Sequence, residues 1–313
     1  MDTQTCSIVV SVYNEEAVLR RFHQELTAVL PTLGYRFEII YINDGSTDGS
    51  RRLLENITAE TRHVKAIHFS RNFGHEAAMI AGIDHATGDA IVCMDADCQN
   101  PPAMLGQMLT LYSEGYDIVT MVRKDRADGG LYKRVTSNMF YRIINHLSDT
   151  KLQPNASDFF LISRRVADVL RNDYRERTRF LRGIIQTVGF RSTSLPYRAP
   201  QRAAGKSHYS LSKLTHFAFT SIASFSKAPL KLGIYSGLLF GLISIALIIY
   251  SIVMWIVARP VGGYTTLIIF LSAFAAIMLM VVGVIGYYIG YILDEVKRRP
   301  LYIIENINES RDE

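Results

Sequence analysis

Ser7-Ile8-Val9-Val10-Ser11-Val12-Tyr13-Asn14-Glu15-Glu16 opens the chain with an alternating, strand-like run that breaks off in polar residues. The same pattern returns at Phe37–Ile42, Val64–Phe69, Ala90–Met94 and Asp117–Val122, with helical stretches such as Glu15–Leu30 between. Strands alternating with helices predict an α/β fold built on a mostly parallel sheet. Punctuation supports the helices: Asp48, after Gly45-Ser46-Thr47, is placed to cap one, and Pro101-Pro102 suits the first turn of another. A helix over Leu131–Leu147, a strand at Phe159–Ile162 and a helix through Arg177–Ile185 complete a domain over residues 1–209.

Beyond that domain the composition changes. Hydrophobic residues make up 49% of the 313 residues and the mean hydropathy is +0.12, high for a purely soluble protein. The excess is concentrated in Leu232–Ala258 and Val261–Leu293, which carry no Asp, Glu, Lys or Arg. Each is longer than the roughly 20 apolar residues a spanning helix needs. We therefore expect transmembrane helices over 231–258 and 264–293, an amphipathic interfacial helix over 210–230 and a tail over 294–313. In the 210–230 segment Leu211, Leu214, Phe217, Ile222 and Phe225 interleave with Lys213, His216 and Lys227.

The formal net charge is +5, and no acidic residue stands between Glu176 and Asp294. A one-signed approach to a membrane favours anionic headgroups on the cytoplasmic side. Lys297, Arg298 and Arg299 follow the second apolar stretch, whereas the inter-span turn has Arg259 alone. The expected arrangement is multi-pass in the cytoplasmic membrane, with the domain over residues 1–209 and both termini in the cytoplasm. No nucleic-acid-binding signature is present. The three cysteines Cys6, Cys93 and Cys98 form no CxxC cluster and no evident disulfide framework, and the first strand replaces a signal peptide.

Chemistry gathers at strand ends. Met94-Asp95-Ala96-Asp97-Cys98-Gln99-Asn100-Pro101-Pro102 closes the fourth strand, where ligands collect in open α/β sheets. Two carboxylates two residues apart can share a hard divalent cation, Mg²⁺ or Mn²⁺, which would bridge the diphosphate of a nucleotide sugar. The loop after Val12 and the loop Asn43-Asp44-Gly45-Ser46-Thr47-Asp48 end adjacent strands. There Asp44 is placed to accept from a base or ribose, and Tyr13 to flank the base.

Together these segments resemble glycosyltransferase family 2, and within it the polyprenyl-phosphate hexosyltransferases. The resemblance also runs through Ser70-Arg71-Asn72-Phe73-Gly74, Asp158-Phe159, Arg179-Phe180-Leu181-Arg182-Gly183, Ala204-Gly205-Lys206-Ser207 and Asp294 to Pro300. It implies a GT-A fold, inverting transfer, a divalent metal and a lipid-phosphate acceptor. It assigns Val12, Tyr13, Glu15, Asp44, Ser70, Arg71 and Asp95 to the nucleotide, and Asp95, Asp97 and Gln99 to the metal. Arg123, Lys133, Ser137, Arg202 and Ser207 fall to the acceptor phosphate. Asp95, Asp97, Asp158, Arg123 and Arg202 form the catalytic set. Phe160 and His208 stand where relatives commonly carry Arg and Lys.

The expected activity is hexose transfer from a nucleotide-sugar donor, UDP-glucose foremost, to a polyprenyl-phosphate lipid acceptor, undecaprenyl phosphate foremost. The lipid product would serve cell-envelope glycan modification, and a homo-oligomer is compatible with this reading. Two rivals make different demands. A processive polysaccharide synthase calls for a Gln-x-x-Arg-Trp motif, but the single Trp255 lies in the first span. A nucleotide-binding membrane assembly subunit without catalysis calls for charged residues inside the spans, which carry none.

Overall fold

The protein is described by a computed structural model covering residues 4–124, 153, 156–176, 180–198, 200, 228–257 and 262–309. The strands are β1 (Thr5–Val12), β2 (Arg36–Asn43), β3 (Val64–Phe69), β4 (Ala90–Asp95), β5 (Ile118–Arg123), β6 (Ala156–Ser163), β7 (Ser192–Tyr197) and β8 (Ile304–Glu309). The helices are α1 (Glu16–Val29), α2 (Ser50–Glu60), α3 (His75–His85), α4 (Leu105–Ser113), α5 (Arg164–Asn172), α6 (Leu181–Thr187), α7 (Ala228–Ile256) and α8 (Tyr264–Val296). All eight strands form one sheet, ordered β7-β5-β6-β4-β1-β2-β3-β8. β1 runs parallel to both β2 and β4, β2 to β3 and β5 to β7, while β6 and β8 pair antiparallel.

The predicted α/β pattern matches this sheet. β1 is buried almost throughout, as a central parallel strand must be, with Cys6, Ile8, Val9 and Val10 fully enclosed. On one face Phe22, Leu26 and Leu54 from α1 and α2 pack with Tyr41 and Phe159 in a continuous core. On the other, α3 presents Ala77, Ala78, Ala81 and Gly82, small side chains that let a helix lie close to the sheet. A Cβ at Gly82 would run into the Val9 side chain.

Several local expectations change. Gly49, not Asp48, occupies the cap position of α2; Asp48 Oδ1 accepts from Ser50 N at 3.0 Å and Oδ2 from Glu16 N at 3.1 Å. Asp48 thus satisfies the first N–H of α2 from one position before the cap and also ties the start of α1 to it. Pro102 does begin a helical turn, a single 3₁₀ turn over Pro102–Met104 that leads into α4. The helix expected from Arg177 starts at Leu181, and α5, β7 and β8, the last in the expected tail, are elements beyond those read from the sequence. Phe160 is buried in β6, paired opposite Cys93 and Thr120, so an apolar side chain suits it. The helix expected over Leu131–Leu147 and the interfacial segment up to Lys227 lie outside the described residues.

The residues after α8 belong to the sheet. β8 pairs antiparallel with β3 and covers an edge that would otherwise offer unpaired backbone groups. Lys65 meets Glu309 at 2.5 Å, and Arg51 meets Glu305 at 2.9 Å. Tyr302 stacks on Phe69 with centroids 5.2 Å apart and donates to Asp84 Oδ2 at 2.7 Å.

Residues 212–298 cluster as a separate compact unit, whose described part is the pair α7 and α8. Phe240 of α7 meets Phe270 and Phe274 of α8, and Gly233 approaches Val281, so the two helices run antiparallel. Both are long and apolar enough to cross a membrane, with windows at Tyr235–Met254 and Ala273–Val296. Their outer surfaces expose Leu242, Ile248, Leu279, Met280 and Ile292, an apolar area that water does not favour.

Replacing Gly82 by Ala is expected to destabilise the sheet domain by about 1–3 kcal/mol, the usual cost of overpacking. Denaturant unfolding of the detergent-solubilised protein measures it; an unchanged midpoint would mean that α3 shifts freely away from β1.

Candidate functional site

Parallel pairing places the site. Ser11 sits opposite Asp95 and Val12 opposite Asn43, so the loops leaving β1, β2 and β4 emerge side by side. The first two loops are stitched together: Asn14 N donates to Ser46 Oγ at 3.0 Å, Thr47 N to Asn14 Oδ1 at 2.8 Å and Gly49 N to Glu16 Oε2 at 2.8 Å. Asn14 makes this turn at φ 57°, a conformation asparagine tolerates. Glu15 N donates to Ser50 Oγ at 3.0 Å. Tyr13 stays 48% exposed at the mouth, placed for stacking, whereas Val12 is buried and offers its carbonyl to Asp44 N at 2.9 Å.

Asp44 is 3% exposed. Its Oδ1 accepts from Phe73 N at 2.6 Å, and its Oδ2 from Gly74 N and Asn72 Nδ2, each at 2.9 Å. Burial pushes its carboxyl up, against the backbone donors of Phe73 and Gly74. Three of a carboxylate's roughly four acceptor positions are thus taken internally. Asp44 organises the 70–74 loop first and keeps about one acceptor position for a ligand. Gly45, at φ +63°, lies so close to the Arg71 backbone that no Cβ fits. Ser70 and Arg71 are exposed on this loop, and the Arg71 guanidinium lies 4.0 Å over the Phe73 ring.

The acidic loop is braced from below. Ser11 Oγ donates to Asp95 Oδ1 at 2.6 Å, and Gln99 N donates to Asp97 Oδ1 at 3.0 Å. Cys98 takes φ 61°, which turns the loop between Asp97 and Gln99. Among the described residues no group of three or more His, Cys, Asp or Glu side chains forms a ready metal cage. A cation held by one or two carboxylates plus substrate phosphates needs no such cage. Asp95 suits such a role, because Ser11 and His75 both address Oδ1 and leave Oδ2 without a hydrogen bond among the described residues.

A cluster of charged side chains from distant segments lies behind that loop. His75, the first residue of α3, places Nδ1 3.1 Å from Ser11 Oγ and 3.3 Å from Asp95 Oδ1, and Nε2 3.7 Å from Asp158 Oδ2. Burial pulls its imidazolium down, but the carboxylates of Asp95, Asp158 and Glu76 prevail and push the pKa up to about 9. Asp158 is gripped by Arg182, Nε to Oδ1 at 3.0 Å and Nη2 to Oδ2 at 2.6 Å. Burial alone would raise its carboxyl; Arg182 and His75 hold it below the ordinary range. Glu76 accepts from Leu181 N at 2.9 Å and is pushed up to about 7 by burial and by Asp158. Arg182 and Glu76 carried no site assignment in the sequence, although Arg182 stands in one of the matching motifs.

Arg123, at the end of β5, donates from Nε to Tyr197 Oη at 3.0 Å. Lys133, Ser137, Arg202 and Ser207, assigned to the acceptor phosphate, lie outside the described residues, as does His208.

Residues 7–171 match glycosyl transferase family 2. The chain is 38% identical to an uncharacterized glycosyltransferase, YkcC, of Bacillus subtilis (strain 168), over 96% of this chain and 93% of that protein. It is 37% identical to another, sll0501 of Synechocystis, over 96% and 95%. It is also 36% identical to the bactoprenol glucosyl transferase of Shigella phage SfV, over 96% of this chain and 98% of that protein.

The depressed carboxyl of Asp158 sets a sign for pH dependence. Its contribution is complete above the unfolded value of about 3.9 and is lost as pH falls through the lower folded value. Arg182→Ala is expected to cost about 1–3 kcal/mol at pH 7, since both side chains are partly exposed. It should also flatten the loss of stability between about pH 5 and 2. Unfolding followed across that range checks both; an unaltered acid limb would mean that the pair does not perturb Asp158.

Proposed function

The chain belongs to glycosyl transferase family 2 and is a glycosyltransferase, and we propose that it moves glucose from UDP-glucose to undecaprenyl phosphate at the cytoplasmic membrane face. The observation that carries the lipid acceptor is the near full-length match to a bactoprenol glucosyl transferase, which takes in the two long apolar helices as well as the sheet. The donor side rests on the loops at the ends of β1, β2 and β4, with Tyr13, Glu15, Asp44, Ser70 and Arg71 lining the nucleotide region. Asp95, Asp97 and Gln99 would hold a divalent cation, Mg²⁺ or Mn²⁺, which when bound neutralises the departing diphosphate.

In this reading an acceptor phosphate oxygen attacks C1 of the glucose from the face opposite the diphosphate. The C1–O bond to the diphosphate breaks, its electron pair leaves on UDP, and the configuration at C1 inverts. The acceptor is already anionic near neutral pH, so the protein needs no strong base and works by positioning and charge. His75 and Ser11 hold Asp95 in place, and Arg182 keeps Asp158 ionised and oriented. Arg123, with Lys133, Ser137, Arg202 and Ser207, supplies cations and hydroxyls for the acceptor phosphate.

The same reading places α7 and α8 across the membrane, with residues 1–209 and the tail in the cytoplasm and an interfacial helix over 210–230. β8 supports that topology, because a strand hydrogen-bonded to β3 requires the segment between the catalytic sheet and the tail to cross an even number of times. The three positive charges after α8 support the same side.

Asp97→Asn is expected to lower transfer at least a hundredfold, an order set by the charge a bound cation offsets, while the protein stays folded. Product lipid measured by mass, with UDP-glucose and undecaprenyl phosphate and with or without excess chelator, tests it; full turnover in either case rejects the metal assignment. A cysteine engineered at Gly262 should react with an impermeant thiol reagent added to intact cells, and one at Asn306 should not. Equal labelling at the two positions would refute the hairpin.

A further inference from the structure

Tyr197 ends β7 in register with Arg123 at the end of β5, and it is only 3% exposed. A hydroxyl so deeply enclosed needs partners. Its oxygen accepts from Arg123 Nε at 3.0 Å, and it donates to Asn100 Oδ1 at 3.3 Å. The direction is forced: a guanidinium only donates, so the single hydroxyl proton is left for the asparagine oxygen. Asn100 is itself 1% exposed and closes the loop that carries Asp95, Asp97 and Gln99. A buried relay therefore joins the arginine at one strand end to the acidic loop at another.

The relay also decides what Arg123 can bind. Holding Nε leaves both terminal nitrogens without a hydrogen bond among the described residues, on a side chain that is partly exposed. A guanidinium fixed at its stem and open at its fork suits bidentate contact with a phosphate. We propose that Tyr197 is a positioning residue: it aims the Arg123 fork and ties it to the acidic loop, so that acceptor phosphate and donor diphosphate are held at one separation. This rests on the lipid-phosphate reading above.

The separation matters because the two anions repel, while reaction needs the attacking oxygen about 3–3.5 Å from its target, and a shift of about 1 Å can cost a hundredfold in rate. An unrestrained arginine samples many rotamers and must be ordered anew at each encounter. The plain alternative is that Tyr197 only fills the core, its ring edge-on to Phe159 at 5.9 Å. Phenylalanine would fill that space equally well, which makes Tyr197→Phe the decisive replacement.

The experiment compares wild type, Tyr197→Phe, Arg123→Ala and the double variant. Initial rates are read at varied undecaprenyl phosphate with saturating UDP-glucose, alongside UDP affinity by calorimetry and thermal midpoint. Tyr197→Phe should lose about tenfold in kcat/KM for the lipid, the size of one charge-assisted hydrogen bond, with UDP affinity unchanged within about twofold. Arg123→Ala should lose more, and the double variant should be no worse than Arg123→Ala alone, since Tyr197 acts through Arg123. Wild-type kinetics in Tyr197→Phe, a matching loss of UDP affinity, or the same tenfold loss on the Arg123→Ala background would each overturn the inference while leaving the lipid-phosphate reading intact. A wild-type chain that turns over no undecaprenyl phosphate, or an Arg123→Ala variant with full activity, would reject that reading and this inference with it.

Discussion

The parallel pairing of β1 with both β2 and β4 is the constraint on which the site depends. Parallel strands end on one side, so their following loops meet there whatever their distance in sequence. The register puts Ser11 beside Asp95 and Val12 beside Asn43, and from those two pairs the site's hydrogen bonds extend. A slip of one residue in β1 would turn Ser11 away from Asp95 and expose Val10 or Val12 in its place. Burial on both faces of β1 makes such a slip costly, so packing energy in the core maintains the geometry of the loops.

Charge is the second organising quantity. Asp95, Asp158 and Glu76 crowd around His75, and Arg182 adds a second positive partner. Carboxylates this close would repel if left alone; the imidazolium and guanidinium offset them and fix their orientation. The outcome is a braced anionic wall whose Asp95 still has one oxygen to offer.

The third feature is the return of the chain to the sheet after α8. β8 covers the β3 edge, and Tyr302 stacks on Phe69, whose other neighbour is Phe73 in an edge-to-face contact at 5.7 Å. Phe73 N is one of the donors to Asp44. The tail thus lies two aromatic contacts from the carboxylate that organises the 70–74 loop, and Ser70 N also donates to Ile303 O at 3.0 Å. Segments on either side of the apolar helices contribute to one loop, which makes the sheet domain discontinuous in sequence.

Much of this is legible in residue order alone. The strand runs, the polar breaks after Val12, Asn43 and Asp95, and the two uncharged apolar stretches are local patterns, and local patterns follow directly from the order of residues. The acidic pair at a strand end marks the candidate site because strand ends are where an α/β sheet collects ligands. Tertiary structure alone decides the rest. Residue order does not say what His75 meets; α3 sets it between Asp95 and Asp158, residues 20 and 83 positions further along the chain. Asp48 reads as a helix-start residue, and only the fold adds its bond to Glu16 at the start of α1. β7 and β8 are short strands with weak patterns of their own, recruited by the edges of β5 and β3, and Tyr197 has a role only because β7 aligns it with Arg123. Sequence determines what each segment favours by itself; which distant side chains share one buried space is set by pairing and packing, and those contacts leave no period in the chain to read.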